Sequence, residues 1–568
     1  MFKSQRSVKL PSYVKKKIWL KHYPKNFPKK VKIPKKSLPD VFKEAVEKYG
    51  NDVNIIFYGK EYTRKQIYEW AKRFATALHD RGVRKGDIVA IYLPNCVQFL
   101  VAYYGILIAG ATVTAISPLF VPREVAYQLK DSGAETIITM DLFYENVKQV
   151  KEETQLKNVI VANIWGEGRL RVEREDLDKI INFDELLEEY PPNPPKVKIK
   201  PKEDIAVLQY TGGTTGLPKG AMLTHYNILA NAMQVKPVTE TLNRMLGLDR
   251  TRAISVLPWY HIYGQTVEIV VGSLLNTIAV CFTQFDPAPI LEAIQNFKPN
   301  TFIAVPTILI LLLSHPKSRD VDFSCLKYLN MGAAPTPVEL ARKWEELSGN
   351  PLSEGYGLTE ASPVTHNRCA QIFGGELGSV GPPVPNTLAG IVDPDTNEFL
   401  PIGELGELVV SGPQVMKGYW NRPEETEKVF FKAGGRLWLK TGDLARMDEK
   451  GYFYIVDRTK DIIKYKGHSV YPREIEEVLF EHEAVMDATV IGVPDPDVGE
   501  QIKAFIVLKP EYKGKVTEDD IYYWCKEQMA AYRYPRLIEF VDSLPKSMVG
   551  KTLRRLLRER EAQKAKEI

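Results

Sequence analysis

Hydrophobic and polar residues along the first 200 positions predict helices and buried strands in alternation. Amphipathic stretches at 42–49 and 64–81 predict helices, and the apolar run at 87–93 predicts a strand. Helices that alternate with short strands are typical of α/β folds with crossover connections. Residues 38–203 are therefore predicted to form an α/β subdomain.

One apolar stretch, 96–121, is long enough to resemble a membrane span, since roughly 20 apolar residues can cross a bilayer. Gly105, Gly110, the β-branched run at 111–116 and Pro118 interrupt it. We interpret it as a buried helix followed by a strand in a soluble core. A true transmembrane span is the less favoured alternative.

The rest of the chain predicts further units, because 568 residues exceed what one hydrophobic core organises. Residues 204–377 continue the α/β pattern, and short strands with Gly and Pro turns at 378–457 predict a small distorted β-barrel. A helix at 472–479 and a strand at 488–493 give the tail a core of its own. We expect a large N-terminal domain at 38–457 and a small α+β C-terminal domain at 458–568.

A basic arm is predicted at residues 1–37. The net charge is +5, yet residues 1–39 contain 13 Lys or Arg and no acidic residue, so the remainder of the chain is net acidic. With Trp19, Leu20 and Tyr23 interleaved, the arm has the composition to associate peripherally with an anionic membrane. The favoured alternative is a solvated edge segment of the first domain. Nucleic-acid binding is not indicated, because no binding module accompanies the arm.

Cysteine usage indicates a reducing compartment. The five cysteines lie far apart without a CxxC pair, so neither a disulfide framework nor a zinc knuckle is predicted. We expect a cytoplasmic protein, and the sequence leaves the oligomeric state open.

A glycine- and threonine-rich segment at 211–220 predicts a phosphate site. Glycines let several backbone N–H groups converge on one anion, and threonine hydroxyls and a lysine add donors. Leu217 and Pro218 separate Gly216 from Lys219, so this is not a Walker A loop. An ordinary polar turn is the alternative. The predicted phosphate ligands are Thr211, Gly212, Gly213, Thr214, Thr215, Gly216 and Lys219.

Together with further motifs, this segment resembles the adenylate-forming superfamily of acyl-CoA synthetases, aryl-CoA ligases, luciferases and peptide-synthetase adenylation domains. The motifs are Pro258-Trp-Tyr-His-Ile-Tyr-Gly264, Met331-Gly-Ala-Ala-Pro335, Gly355-Tyr-Gly-Leu-Thr-Glu360, Thr441-Gly-Asp-Leu444, Gly451-Tyr-Phe through Arg458, and Leu544-Pro-Lys-Ser-Met-Val-Gly-Lys551. The pattern is most similar to medium- and long-chain fatty acyl-CoA synthetases. Left open are an aryl or short-chain acid–CoA ligase, a carrier-loading adenylation enzyme, and a non-catalytic lipid-binding or transport protein.

The resemblance implies a fold and a reaction. The fold is a large domain of two α/β subdomains (38–203 and 204–377) plus a distorted β-barrel, followed by a mobile C-terminal domain. The reaction uses ATP and Mg²⁺ to convert a fatty acid to acyl-AMP, with loss of pyrophosphate, and then transfers the acyl group to coenzyme A.

The resemblance also implies roles for individual residues. Tyr356 would pack on adenine, Thr359 would contact the α-phosphate, Asp443 and Arg458 would hold the ribose, and Glu360 with Thr211 would hold Mg²⁺. Further nucleotide contacts are expected from Gly332, Ala333, Gly355, Gly357 and Ile455. The acyl pocket is expected between 256–263, with His261 as its polar member, and 301–310.

In the C-terminal domain, the resemblance makes Lys551 the cation that orients the carboxylate and the α-phosphate, and Lys460 the hinge. Lys464, Lys466, Gly467 and His468 would bind coenzyme A. Gly467 is expected to be glycine because a Cβ there would obstruct the narrow thiol arm.

Overall fold

The computed structural model describes residues 8–165, 170–211, 217–334, 336–546 and 552–567. The predicted site residues Gly212, Gly213, Thr214, Thr215, Gly216 and Lys551 lie outside these ranges. Within them, the backbone forms α-helices and four β-sheets, which confirms the predicted α/β fold class.

One sheet is built mostly of parallel strands from the first part of the chain. In spatial order its described strands are Ile181–Asn182, Asn158–Ala162, Thr136–Met140, Ile88–Tyr92, Thr112–Ala115, Ile205–Thr211 and Lys219–Thr224. The final pair is antiparallel and brings Thr211 opposite Lys219. The phosphate segment therefore leaves and re-enters the sheet at one edge.

A second sheet carries the strands that lead into the other motifs. Its described order is Val364–Arg368, Ser353–Gly357, Tyr328–Met331, Thr301–Ala304, Arg252–Ser255, Ile278–Cys281, Val53–Phe57 and Lys60–Thr63. The two sheets exchange strands across residue 203, because 53–63 joins this sheet whereas 205–224 joins the other. The two sheets thus do not divide at the predicted boundary between residues 203 and 204. The limits of the domains stay predictions.

The third sheet consists of antiparallel strands from the segment predicted to be a barrel. Its strands are Leu388–Val392, Gly406–Ser411, Arg436–Met447 and Phe430–Ala433, with Phe453–Arg458 paired to Arg436–Met447. Asp443 and Arg458 face each other in this pairing.

The fourth sheet belongs to the C-terminal part. Its strands are His468–Val470, Ile463–Tyr465, Gly499–Leu508 and Val485–Asp495, with Leu537–Phe540 paired to Gly499–Leu508. It has a separate hydrophobic cluster that includes Ile463, Leu479, Val490 and Ile506, as the sequence predicts for a small domain.

Helices cover the sheets and begin at recognisable caps. Thr63 and Gln66, for example, form a reciprocal capping box at the start of Arg64–Asp80. The other α-helices are Ser12–Lys16, Leu38–Tyr49, Val97–Ile108, Pro122–Ser132, Tyr144–Lys151, Phe183–Glu189, His225–Leu246, Val271–Leu274, Pro287–Phe297, Pro306–Ser314, Val338–Ser348, Ala370–Phe373, Pro423–Val429, Pro472–Glu481, Glu518–Gln528 and Arg554–Glu567.

The apolar stretch at 96–121 contains the helix Val97–Ile108 and the strand Thr112–Ala115, so the interpretation as a buried helix and strand is confirmed. Nowhere in the part of the chain that the structure describes is a helix both long and apolar enough to cross a membrane.

The aromatic residues of the N-terminal arm pack into the large domain. Trp19 is 1% exposed and lies edge-on to Phe453 with ring centroids 6.2 Å apart. Tyr23 is buried against Phe27 and Phe373. These rings are therefore turned away from any lipid surface in this arrangement, whereas several lysines of the arm are exposed.

Candidate active site

The phosphate segment is bounded by Thr211 and Lys219, which lie opposite each other at the sheet edge. The Lys219 ammonium pairs with the carboxylate of Glu425 and lies 5.4 Å from the centroid of the Tyr419 ring. Hydrogen bonds from Lys219 and then Lys428 lower the pKa of Glu425 to about 2. Lys219 is thus held at the C-terminal end of the phosphate segment by the oppositely charged Glu425.

Glu360 lies in the short helical turn Thr359–Ala361 and shares the neighbour Tyr419 with this lysine. Its Oε1 accepts a hydrogen bond from the Tyr419 hydroxyl at 2.6 Å, and its backbone carbonyl accepts one from the Met416 N–H at 2.7 Å. Burial, and then the Glu360 carboxylate, raises the pKa of Tyr419. Tyr419 therefore joins the predicted metal residue Glu360 to the predicted phosphate residue Lys219.

This arrangement suits a magnesium ion that is shared with a nucleotide. The described residues contain no group of three or more His, Cys, Asp and Glu side chains placed to hold a metal. Mg²⁺ usually binds one or two carboxylates together with substrate phosphates and water. A single carboxylate at Glu360, oriented by Tyr419, fits that mode of binding.

A second group joins three residues that the sequence predicts separately for the nucleoside. The Tyr356 hydroxyl donates to Asp443 Oδ2 at 2.5 Å, and Arg458 Nε lies 3.1 Å from Asp443 Oδ1. Asp443 is 6% exposed. Burial, and then the Asp443 charge, raises the pKa of Tyr356 well above its usual range. The Asp443 carboxylate is therefore fixed from two sides.

The glycine positions of this region are sterically tight. A Cβ at Gly357 would lie 2.2 Å from the carbonyl oxygen of Pro363, and one at Gly332 would lie 2.9 Å from the Tyr263 hydroxyl. Ala333 has a φ of +64°, a left-handed conformation that favours glycine. Ala333, an expected nucleotide contact, therefore occupies a strained backbone position. Gly355 is less constrained, since its Cβ would lie 3.3 Å from Asn330 Oδ1.

The two segments expected to bound the acyl pocket do meet. Leu257, Tyr263, Val267 and Val305 belong to one buried cluster, with Ile308 packed against it. His261 accepts a hydrogen bond at Nδ1 from the Tyr263 N–H at 3.2 Å, and burial lowers the pKa of its imidazole to about 4. His261 is therefore neutral near pH 7.

The remaining predicted nucleotide contacts lie nearby. Thr359 is buried next to Glu360. The half-buried Ile455 pairs with Ala445 in the third sheet, and its carbonyl accepts a hydrogen bond from Arg473. Lys460 follows Arg458 between the third and fourth sheets, where a hinge was expected.

The predicted coenzyme A residues form a tight hairpin in the C-terminal part. Lys466 (φ +48°) and Gly467 (φ +80°) form its two-residue turn between the paired residues Tyr465 and His468. Lys464 Nζ donates to Ser469 Oγ at 2.8 Å. The His468 ring stacks on Tyr532 with centroids 4.7 Å apart.

The hairpin gives a second reason for glycine at position 467, beside the clearance that coenzyme A is expected to need. A Cβ at Gly467 would meet no protein atom within 4 Å. The positive φ of Gly467 still favours glycine, since a two-residue turn of this kind needs positive φ at both positions. Its role toward coenzyme A stays a prediction.

Some residues of the site were not predicted from the sequence. Glu425 lies in the helix Pro423–Val429, and Tyr419 lies shortly before it. Both are far in sequence from Glu360 and Lys219. Asn330 accepts a hydrogen bond from the Tyr263 hydroxyl at 3.1 Å. Nothing in their local sequence distinguishes these side chains from ordinary surface or core residues.

Two models of known protein families match most of the chain. A sequence model described as "AMP-binding enzyme" matches residues 42–420, and one described as "AMP-binding enzyme C-terminal domain" matches residues 474–551. The chain belongs to the AMP-binding enzyme family. This membership confirms the resemblance to adenylate-forming enzymes that the motifs indicate.

Curated relatives of this family member extend over nearly its whole length. It is 40% identical to the long-chain-fatty-acid–CoA ligase of Bacillus subtilis, with 96% of this chain and 98% of that protein covered. It is 38% identical to the long-chain-fatty-acid–CoA ligase of Escherichia coli O157:H7, again with 96% and 98% covered.

Among solved structures, the family member is similar to MatB from Rhodopseudomonas palustris at 27% identity. The ATP-bound form has a TM-score of 0.80, and the apo form has a TM-score of 0.70, each with 92% of this chain and 98% of that chain covered. The arrangement described here therefore resembles the ATP-bound form more than the apo form.

Proposed function

We propose that this AMP-binding enzyme is a long-chain fatty acid–CoA ligase that uses ATP and Mg²⁺ and forms AMP. The observation that carries the proposal is that residues from separate motifs meet in two groups, Tyr356 with Asp443 and Arg458, and Glu360 with Tyr419 and Lys219. The substrate class rests on the fatty acid ligases that align with the chain over 96% of its length.

In the first half-reaction, a fatty acid carboxylate oxygen attacks the α-phosphorus of ATP. A P–O bond to the acid forms, the bond to the bridging oxygen breaks, and pyrophosphate leaves with the electron pair. Asp443 and Arg458 hold the ribose, Thr359 contacts the α-phosphate, and Thr211 through Lys219 bind the β- and γ-phosphates. Such a reaction depends mainly on positioning and on preorganised charge.

Glu360 would hold a bound Mg²⁺, which supplies charge stabilisation at the phosphate oxygens. The hydroxyl of Tyr419 keeps the Glu360 carboxylate in one orientation, so that the site does not have to reorganise when the nucleotide arrives. Lys219 contributes a second positive charge at the same end.

In the second half-reaction, the thiolate sulfur of coenzyme A attacks the acyl carbonyl carbon of acyl-AMP. A thioester bond forms, the mixed anhydride bond breaks, and AMP leaves. We assign Lys464, Lys466, Gly467 and His468 to the coenzyme A side of this step, with Lys460 as the hinge that brings them to the adenylate.

The test of the function is a substrate panel. CoA-dependent AMP release is measured with acetate, octanoate, palmitate and 4-coumarate at equal concentrations. We expect palmitate and octanoate to give the highest kcat/KM. A preference for 4-coumarate or acetate would replace the proposal by the aryl or short-chain alternative. No AMP release with any of the four acids would support a non-catalytic role.

A variant test addresses Lys551, which lies outside the described residues. We expect Lys551→Ala to abolish fatty acid-dependent ATP–pyrophosphate exchange while leaving CoA transfer to preformed acyl-AMP much less affected. Equal loss of both half-reactions would argue against this role for the lysine.

We further propose that the enzyme is cytoplasmic and binds anionic membrane surfaces peripherally through lysines of the N-terminal arm. Lys15, Lys16, Lys29 and Lys30 are exposed there, whereas the aromatic rings of the arm are buried. Attraction of this kind is screened by salt. Sedimentation with phosphatidylglycerol vesicles should therefore be lost at high salt, and binding that persists there would contradict the proposal.

A further inference from the structure

One side chain of the C-terminal part reaches directly into the large domain. Lys546 Nζ donates to the Thr307 hydroxyl oxygen at 2.9 Å, and it lies 2.5 Å from Asp487 Oδ2. Asp487 belongs to the C-terminal strand Val485–Asp495, whereas Thr307 is the second residue of the helix Pro306–Ser314. One ammonium therefore bridges two parts of the molecule.

The bridge is mostly shielded from solvent. The side chains of Lys546 and Asp487 are each 19% exposed. Burial raises the pKa of Asp487, and Lys546 opposes that rise. A hydrogen bond to a charged donor in such a place is worth more than one on an open surface.

Thr307 is close to the expected acyl pocket. The strand Thr301–Ala304 leads into its helix, and the Ala304 carbonyl accepts a hydrogen bond from the Gly332 N–H at 3.2 Å. Its neighbours Val305 and Ile308 pack in the cluster that contains Tyr263. The lysine thus attaches to the element that forms one wall of the predicted acyl site.

Lys546 also has a backbone contact. It pairs with Thr552 in an isolated antiparallel bridge, so the two residues are held next to each other. The arrangement in which this contact forms is the one that resembles the ATP-bound form of MatB more than its apo form.

We propose that Lys546 and Thr307 are positioning residues that dock the C-terminal domain for acyl-adenylate formation and separate for thioester formation. The proposal rests on the proposed ligase function for its two half-reactions. Asp487 holds the ammonium on the C-terminal side, and the Thr307 hydroxyl receives it on the acyl-pocket side.

The test compares two substitutions at one position. Thr307→Val removes the hydroxyl at nearly constant shape, and Thr307→Ser keeps it. We expect Thr307→Val to lower palmitate-dependent ATP–pyrophosphate exchange about tenfold, since it deletes a hydrogen bond to a charged group. Thr307→Ser should stay within about twofold of the parent enzyme, and in Thr307→Val the rate of CoA transfer to preformed palmitoyl-AMP should fall much less than the exchange rate.

A double-mutant cycle checks that the lysine is the partner. Lys546→Met should lower exchange, and adding Thr307→Val to it should cause no further loss, because the contact is already gone. Lys546→Arg should retain part of the exchange rate. Additive losses, parent-like exchange in Thr307→Val, or equal loss in both half-reactions would each overturn the docking role.

A readout that needs no fatty acid separates this proposal from the proposed function. Cleavage near residues 458–461 by a protease is followed with and without ATP and Mg²⁺. ATP should protect the parent protein and Thr307→Ser but not Thr307→Val. Equal protection of all three proteins would overturn the docking contact, whereas failure of the parent enzyme on every fatty acid would overturn only the proposed function.

Discussion

The Tyr356 hydroxyl lies 2.5 Å from Asp443 Oδ2, although the two residues are 87 positions apart in the chain. Tyr356 is on the strand Ser353–Gly357 of the second sheet, and Asp443 is on the strand Arg436–Met447 of the third sheet. The hydrogen bond therefore couples the predicted adenine site to the predicted ribose site, and it joins two sheets at the point where the nucleoside would lie.

We expect Tyr356→Phe to raise the KM for ATP by roughly tenfold, with a smaller change in kcat, because the buried Asp443 carboxylate loses one of its two partners. The ring remains available to pack on adenine. Initial rates of acyl-AMP formation at varied ATP concentration measure both constants.

The matched control is Tyr92→Phe. The Tyr92 hydroxyl donates to the Phe120 carbonyl at 2.9 Å in another part of the protein, so this variant should lose some thermal stability and keep its KM for ATP. An equal rise of KM in both variants would point to a general loss of stability instead.

Tyr419 offers a second prediction, since its hydroxyl orients the Glu360 carboxylate at 2.6 Å. We expect Tyr419→Phe to raise the Mg²⁺ concentration that gives half-maximal activity by about fivefold, because the hydrogen bond that orients the carboxylate is lost. Titration of ATP–pyrophosphate exchange with Mg²⁺ measures this.

Tyr190→Phe is the control for Tyr419, because Tyr190 donates to the Asp80 carboxylate, also at 2.6 Å, on the protein surface. Its magnesium requirement should match that of the parent. An unchanged requirement in Tyr419→Phe would remove Tyr419 from the metal site.

The local elements were predictable from the sequence, and their long-range pairing was not. The helix and strand within 96–121 follow from Gly110 and the β-branched run after it, since these interrupt the apolar pattern. The sequence does not show which of the two sheets a strand joins. Residues 53–57 and 205–211 have the pattern of ordinary buried strands, and that pattern would be the same in either sheet.

The same distinction applies to the site. Glu360 and Asp443 were predictable because each lies in a motif that resembles a family pattern. Tyr419 was not, because its role depends on a contact with a carboxylate 59 positions away. The sequence favours a solvated edge segment for the arm that contains Trp19, with membrane association as the second interpretation, and only the fold reveals that Phe453 and the large domain bury this ring.

Gly467 allows a prediction that separates two reasons for a glycine. Its φ of +80° favours glycine or asparagine, whereas a leucine there is strained. If coenzyme A passes close to this backbone, as proposed, any Cβ obstructs it. We expect Gly467→Asn and Gly467→Leu both to lower thioester formation from palmitoyl-AMP by at least about tenfold.

ATP–pyrophosphate exchange should stay within about twofold of the parent in both Gly467 variants, because the first half-reaction does not use this hairpin. Normal thioester formation in Gly467→Asn, with loss only in Gly467→Leu, would reduce the role of Gly467 to the conformation of its turn.

Glu268 predicts how stability depends on pH. Its carboxylate accepts hydrogen bonds from the Ser255 hydroxyl and from Trp259 Nε1, the latter at 2.7 Å, and burial raises its pKa from 4.5 to about 8. Between these values the unfolded chain has released the proton and the folded protein retains it. Stability therefore falls as pH rises from about 4.5 to 8, and this contribution is level outside that window.

We expect Glu268→Gln to become more stable relative to the parent as pH rises, because the amide cannot ionise. The difference in thermal midpoint between the two proteins should grow by several degrees from pH 5.5 to pH 8, since each unit of pKa shift corresponds to about 1.4 kcal/mol. His261 and His366 also affect the pH dependence of stability, but both proteins retain them, so their contributions cancel in the difference. A constant difference across this range would mean that the Glu268 carboxyl is already ionised in the folded protein at pH 5.5.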